Sequence, residues 1–172
     1  YRKSFTLSPL EKFSRTIIAF DGVYMNSEVY VNGKHVGNHP YGYTAFHYDI
    51  TGFLNAPGKT NTIAVKVRNE GKNSRWYSGS GIYRHVWLIQ TQSVSIVHDG
   101  IAVSTEHIEN GKAILRIKSA VQNTADKSRS VKLNIKIIDK QGQTVVNQES
   151  QDKSILPGNS ADITELVTVQ KP

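Results

Sequence analysis

The run Ser74-Arg75-Trp76-Tyr77-Ser78-Gly79-Ser80-Gly81-Ile82-Tyr83-Arg84-His85-Val86-Trp87-Leu88 decides how the rest of this chain is read. Its first half, Arg75 to Gly81, mixes a cation, two large aromatic rings, hydroxyls and glycines. Glycine favours backbone angles that other residues avoid, so this half reads as a loop. The second half alternates. Ile82, Arg84, Val86 and Leu88 fall on one side, with Tyr83, His85 and Trp87 on the other, which is the period of a strand. A tight aromatic loop therefore feeds straight into a strand, and binding groups often sit on loops held by such a scaffold. Trp76 and Tyr77 either plug the end of a β-sheet core or face a ligand, and the residues alone allow both.

Working outward, the flanking segments are also strand-like. Tyr1 to Leu7 alternates, Ser8 to Lys12 is a polar break, and Thr16-Ile17-Ile18-Ala19-Phe20 is the short apolar run of a buried strand. Glu28 to Asn32 alternates and ends in Asn32-Gly33, a pair suited to the positive φ angles of a type I′ hairpin turn. Lys34 to Gly37 is then the returning strand. Ala45 to Ile50 is another, Gly52-Phe53-Leu54 reads as a single helical turn, and Asn55 to Lys59 as a turn. Thr62 to Arg68 sets Ile63, Val65 and Val67 against Ala64, Lys66 and Arg68. No stretch keeps a helical period, so the pattern predicts an all-β sandwich. Thr91-Gln92-Ser93 reads as a boundary, because Trp, Tyr and Phe all fall before position 88. The part without aromatics lacks stacking surfaces for sugars or bases and reads as a spacer. Its predicted strands cover residues 94–98, 101–107, 112–121, 131–138, 143–150 and 160–169.

Composition narrows the function. The 172 residues suit one domain or two small ones. No apolar run approaches the roughly 20 residues of a spanning helix. The chain contains no cysteine, which removes disulfides, thiolate chemistry and cysteine-based zinc sites. The formal net charge is +7, and residues 1–93 carry eleven Lys and Arg against five Asp and Glu. These cations are scattered singly, the pattern of a solvated face rather than a nucleic-acid track. His35 and His39 are four apart, but they fall on a strand and its exit rather than on one helix face, so no metal site is expected. The first residues alternate without a signal peptide and lack an initiator Met, so the chain is expected to begin inside a longer protein.

Three motifs together resemble family 2 of the glycoside hydrolases, the β-galactosidase and β-glucuronidase family. They are Phe20-Asp21-Gly22-Val23-Tyr24 with Glu28 to Lys34, then Gly42-Tyr43-Thr44-Ala45-Phe46 with Tyr48-Asp49-Ile50-Thr51, and Trp76 with Ser78 to Arg84 and Val86-Trp87-Leu88. The resemblance implies a galactose-binding-like jelly-roll domain, truncated at its start, over residues 1–93. It implies an immunoglobulin-like β-sandwich over residues 94–172, where Val121 to Thr124 matches a loop of that domain. Six predicted strands are one short of the roughly seven of that architecture, so truncation at the end is expected too. Exposed strand edges would leave room for a homo-oligomer.

Retaining glycoside hydrolysis needs two carboxylates about 5–5.5 Å apart. In the resembled family both come from a following (β/α)8 barrel, which needs roughly 250 residues and does not fit here. Asn69-Glu70 is the only Asn-Glu pair and sits in a polar loop, so no catalytic residue is expected in this chain. Gly79-Ser80-Gly81 lacks the spacing of a nucleophile elbow, and a strand rather than a phosphate-binding helix follows it. No cofactor and no metal site is expected in this chain. What the resemblance does imply is sugar contact from the loop before Ser80-Gly81-Ile82-Tyr83-Arg84. That nominates Asn73, Arg75, Trp76 and Tyr77 as substrate-binding residues, with Ser74 beside them. An indole face stacks on a sugar ring and a guanidinium donates to hydroxyls. The implied partners are a terminal β-galactoside or related glycoside and a catalytic barrel of the same parent chain, with no nucleic acid and no membrane span. A bacterial periplasmic or extracytoplasmic setting follows from the family alone. The alternative is a free-standing carbohydrate-binding module.

Overall fold

The computed structural model describes residues 1–8, 15–71 and 79–170. They fall into two compact units, Tyr1–Gln92 and Ser93–Pro172. The all-β expectation holds: among the described residues the only helical element is one 3-10 turn, Thr51–Phe53.

The first unit contains β1 (Arg2–Thr6), β2 (Arg15–Phe20), β3 (Val23–Tyr24), β4 (Ser27–Val31), β5 (Lys34–His39), β6 (Phe46–Asp49), β7 (Thr60–Lys66), β8 (Gly81–Ile82) and β9 (Val86–Thr91). One sheet has the order β1-β7-β4-β5, a second β6-β2-β9, and β3 pairs with β8. Every pairing is antiparallel. The sequence explains the layering. β4 alternates, with Ser27, Val29 and Val31 buried while Glu28 and Tyr30 are less so. β2 is buried almost throughout because it is the central strand of its sheet. Ile18 and Phe20 of β2 meet Val29, Val31 and Val65 of the facing sheet, with Val23 and Ile50 closing the same core. Each such fully buried side chain contributes about 1.5–3 kcal/mol. Asn32 and Gly33 take φ angles of 51° and 80°, so the turn between β4 and β5 has the positive φ values expected of it.

The second unit contains β10 (Val94–Glu109), β11 (Lys112–Asn123), β12 (Arg129–Val131), β13 (Asn134–Ile138), β14 (Thr144–Glu149), β15 (Lys153–Ile155) and β16 (Ser160–Gln170). Its sheets are β10-β11-β16, β12-β15 and β13-β14. Ile117, Ile135 and Val167 form one core cluster, and Val121, Ile155 and Ile163 another.

Four predicted strands differ from those observed. The alternating run from Ile82 to Leu88 is interrupted. Ile82 pairs with Val23 of β3, whereas Val86 pairs with Phe20 of β2. Alternation shows which way side chains point but not which strand accepts the backbone bonds. Residues 94–98 and 101–107 belong to one strand, because a register shift between Ile96 and Ile101 absorbs Asp99, at φ 57°, and Gly100 without ending the pairing with β11. Residues 131–138 divide into β12 and β13, which pair with β15 and β14 respectively.

Candidate functional site

A polar cavity of about 450 Å³ opens at one edge of the first unit. Three segments build it. Asn26, Ser27 and Glu28 come from the start of β4, Asn38, His39 and Pro40 from the end of β5, and Arg68 and Glu70 from the segment after β7. The hairpin register explains the first two, since Ser27 stands opposite His39 and Glu28 opposite Asn38. Ser27 is buried and its hydroxyl donates to the His39 carbonyl at 3.2 Å. The Asn26 amide donates to the Pro40 carbonyl at 3.1 Å, and the Arg68 amide to the Met25 carbonyl at 3.2 Å. Backbone bonds thus tie all three walls together.

The side chains are aimed by packing. The His39 ring stacks on Phe46 with centroids 4.3 Å apart, and Phe46 stacks on the core residue Phe20 at 4.9 Å. His39 Nε2 also lies 3.0 Å from the Thr44 hydroxyl. Glu28 accepts from the Tyr30 hydroxyl at 2.5 Å and from the Lys66 ammonium at 3.2 Å. The Tyr30 hydrogen bond, followed by Lys66, holds the Glu28 carboxyl below its usual range, and the same contact pushes the Tyr30 hydroxyl up. Glu28 is therefore an anion at neutral pH and suits accepting hydrogen bonds rather than donating a proton. Asn26, Asn38, Arg68 and Glu70 add amide, guanidinium and carboxylate groups, a set that matches the alternating donors and acceptors of a sugar rim.

The nominated residues Asn73, Arg75, Trp76 and Tyr77 lie outside the described residues, as do Ser74 and Ser78. The two stems that carry their segment are described. Asn69 Nδ2 donates to the Ser80 hydroxyl at 2.8 Å, and Gly81 pairs with Tyr24. One stem runs directly out of the cavity wall at Arg68 and Glu70. Asp21 and Asp49, which lie in the first two motifs, hold local structure. Asp21 accepts from the Trp87 indole at 3.0 Å, and Asp49 from the Thr51 hydroxyl and amide and from Arg15. The sequence reading did not nominate His39, Asn26, Asn38 or Arg68. The hairpin signal reaches only part of the way: Asn32-Gly33 fixes a turn that by itself sets Ser27 opposite Asn38, and a register shift between Val29 and Tyr30 moves it opposite His39.

Residues 1–92 match the model of the glycosyl hydrolases family 2 sugar binding domain. The chain belongs to that family. A β-galactosidase of Bacteroides ovatus is 38% identical over all of this chain, which covers 20% of that protein. A β-glucuronidase of Formosa agariphila is 28% identical, again over the whole chain and 20% of the relative. A crystal structure of a family 2 member from Bacteroides cellulosilyticus superposes with a TM-score of 0.93 at 39% identity, over 99% of this chain and 23% of that one. The chain thus spans about a fifth of the length of the relatives it matches.

Proposed function

We propose that this chain is the accessory β part of a glycoside hydrolase that removes terminal β-glycosides, β-galactosides in the first instance. The first unit walls the sugar pocket, and the second is an immunoglobulin-like spacer. The catalytic carboxylates come from a barrel elsewhere in the same parent polypeptide. The observation that carries this reading is the polar cavity walled by Arg68 and Glu70, beside the Asn69–Ser80 hydrogen bond that brackets the segment with Arg75, Trp76 and Tyr77. Similarity to a β-galactosidase and β-glucuronidases supports the class of bond cleaved.

The roles follow from chemistry. A terminal sugar presents a hydroxyl rim to Asn26, Asn38 and Arg68, while the ionised Glu28 accepts from a hydroxyl. Arg75 and Asn73 extend the hydrogen-bonding wall and Trp76 with Tyr77 cover the ring face. Contacts of this kind position the glycosidic bond for carboxylates supplied by another domain.

The test is hydrolysis of a nitrophenyl β-galactoside by the parent protein. Arg75→Ala and Trp76→Ala should each lower kcat/KM about tenfold or more, with the circular dichroism spectrum unchanged. Unaltered kinetics in both variants would remove this loop from the pocket. The competing module reading predicts instead that the 172-residue chain binds sugar with no hydrolytic partner in its reading frame.

A further inference from the structure

Asn-Gly occurs twice in this chain, at Asn32-Gly33 and at Asn110-Gly111. Both pairs form two-residue turns, one between Val31 and Lys34 and the other between Glu109 and Lys112. Their backbones nearly coincide, with φ of 51° and 80° in the first and 48° and 71° in the second. The asparagine side chains do not. Asn32 is clamped: its Nδ2 donates to the Phe53 carbonyl at 2.9 Å and to Asn61 Oδ1 at 2.8 Å, and its Oδ1 accepts from the Thr62 amide at 2.9 Å. Asn61 has no exposed surface, so the clamp is anchored in the interior. Asn110 is exposed, at a tip where Ile108, Glu109, Gly111 and Lys112 are exposed as well. No hydrogen bond to a described residue holds its side chain. A strand end with so little buried surface opens locally at small cost.

We propose that Asn110 is a site of spontaneous deamidation, which turns the tip of the β10–β11 hairpin acidic with age, while Asn32 is protected. Glycine has no Cβ, so the amide nitrogen that follows each asparagine is open to approach. The Gly111 nitrogen loses its proton and attacks Asn110 Cγ. A C–N bond forms, the side-chain nitrogen takes up a proton and leaves as ammonia, and a five-membered succinimide remains. Water then opens the ring. Opening at the Cγ carbonyl gives aspartate. Opening at the backbone carbonyl gives isoaspartate, which lengthens the main chain of the two-residue turn by one carbon. The attack requires the side chain to swing onto the backbone behind it. Asn110 is free to do so, whereas Asn32 must first give up three hydrogen bonds. This inference stands apart from the sugar-pocket reading.

The test is to hold the 172-residue chain at mildly alkaline pH and body temperature, digest samples over weeks, and follow both Asn-Gly peptides by mass spectrometry. Asn110 should convert to aspartate and isoaspartate about tenfold faster than Asn32, since each lost hydrogen bond slows the clamped site. Conversion should rise with pH, because the attacking nitrogen must shed its proton. Asn110→Gln should keep its peptide free of the acid. In urea concentrated enough to unfold the chain the clamp is gone, and the two sites should convert within about threefold of each other. A gap under about threefold in the folded chain would overturn the proposal. So would a larger gap that survives unchanged in urea, because it would place the difference in the neighbouring residues and not in the fold.

Discussion

Asn61 and Asn123 have no exposed surface, and each organises one unit. Asn61 Oδ1 accepts from the Asn55 amide and the Asn32 side chain, both at 2.8 Å, while Asn32 Oδ1 accepts from the Thr62 amide at 2.9 Å. Asn123 Nδ2 donates to the carbonyls of Lys127 and Ile155, and its Oδ1 accepts from Ala125. Replacing either by a group without these atoms strands buried backbone partners, at about 1–3 kcal/mol. Asn61→Ala and Asn123→Leu should each lose about that much in urea unfolding. Asp49 provides a pH test. Its partial burial alone would raise its pKa, but hydrogen bonds from Thr51 and Arg15 outweigh this and hold it below its ordinary value. A depressed folded value stabilises the protein above the ordinary pKa of 3.8, and that stabilisation disappears as pH falls through the folded value. The urea midpoint of wild type should therefore drop below about pH 4, and Asp49→Asn should lower the neutral midpoint and flatten that drop. Little of this was legible beforehand, because Asn in a turn-like stretch looks the same whether it caps a loop or clamps a core.

Hairpins were the most legible elements, and the reason is steric. Asn32-Gly33 needs positive φ at both positions, and few residue pairs supply it. Asn110-Gly111, with φ of 48° and 71°, carries the same signal between β10 and β11, where Glu109 pairs with Lys112. Gly111→Val should cost about 1–2 kcal/mol in denaturant unfolding, since a branched side chain resists that conformation. Gly42→Ala should also destabilise, for a different reason: the added methyl meets a buried ring instead of a strained backbone. Breaks between elements were less legible. The Asp21 amide donates to the His85 carbonyl at 3.0 Å and the Tyr83 amide to the Gly22 carbonyl at 3.3 Å, so the chain changes partner inside one alternating run. β15, three residues long, carries only Ile155 into the core and left no periodic trace.

For the whole molecule, the family was legible because its motifs coincide with geometric necessities: an apolar central strand, a hairpin turn, and a glycine-rich stem entering a strand. The candidate site was legible only in part. Its loop residues could be nominated by resemblance, but the cavity is assembled from β4, β5 and the segment after β7, which no linear pattern joins. The central claim is that this chain shapes the pocket while the nucleophile lies elsewhere in the parent protein. Trapping that protein with 2,4-dinitrophenyl 2-deoxy-2-fluoro-β-galactoside and locating the glycosylated peptide by mass spectrometry tests it most directly. The account predicts the sugar on a carboxylate outside these 172 residues; a label on Glu28 or Glu70 would contradict it.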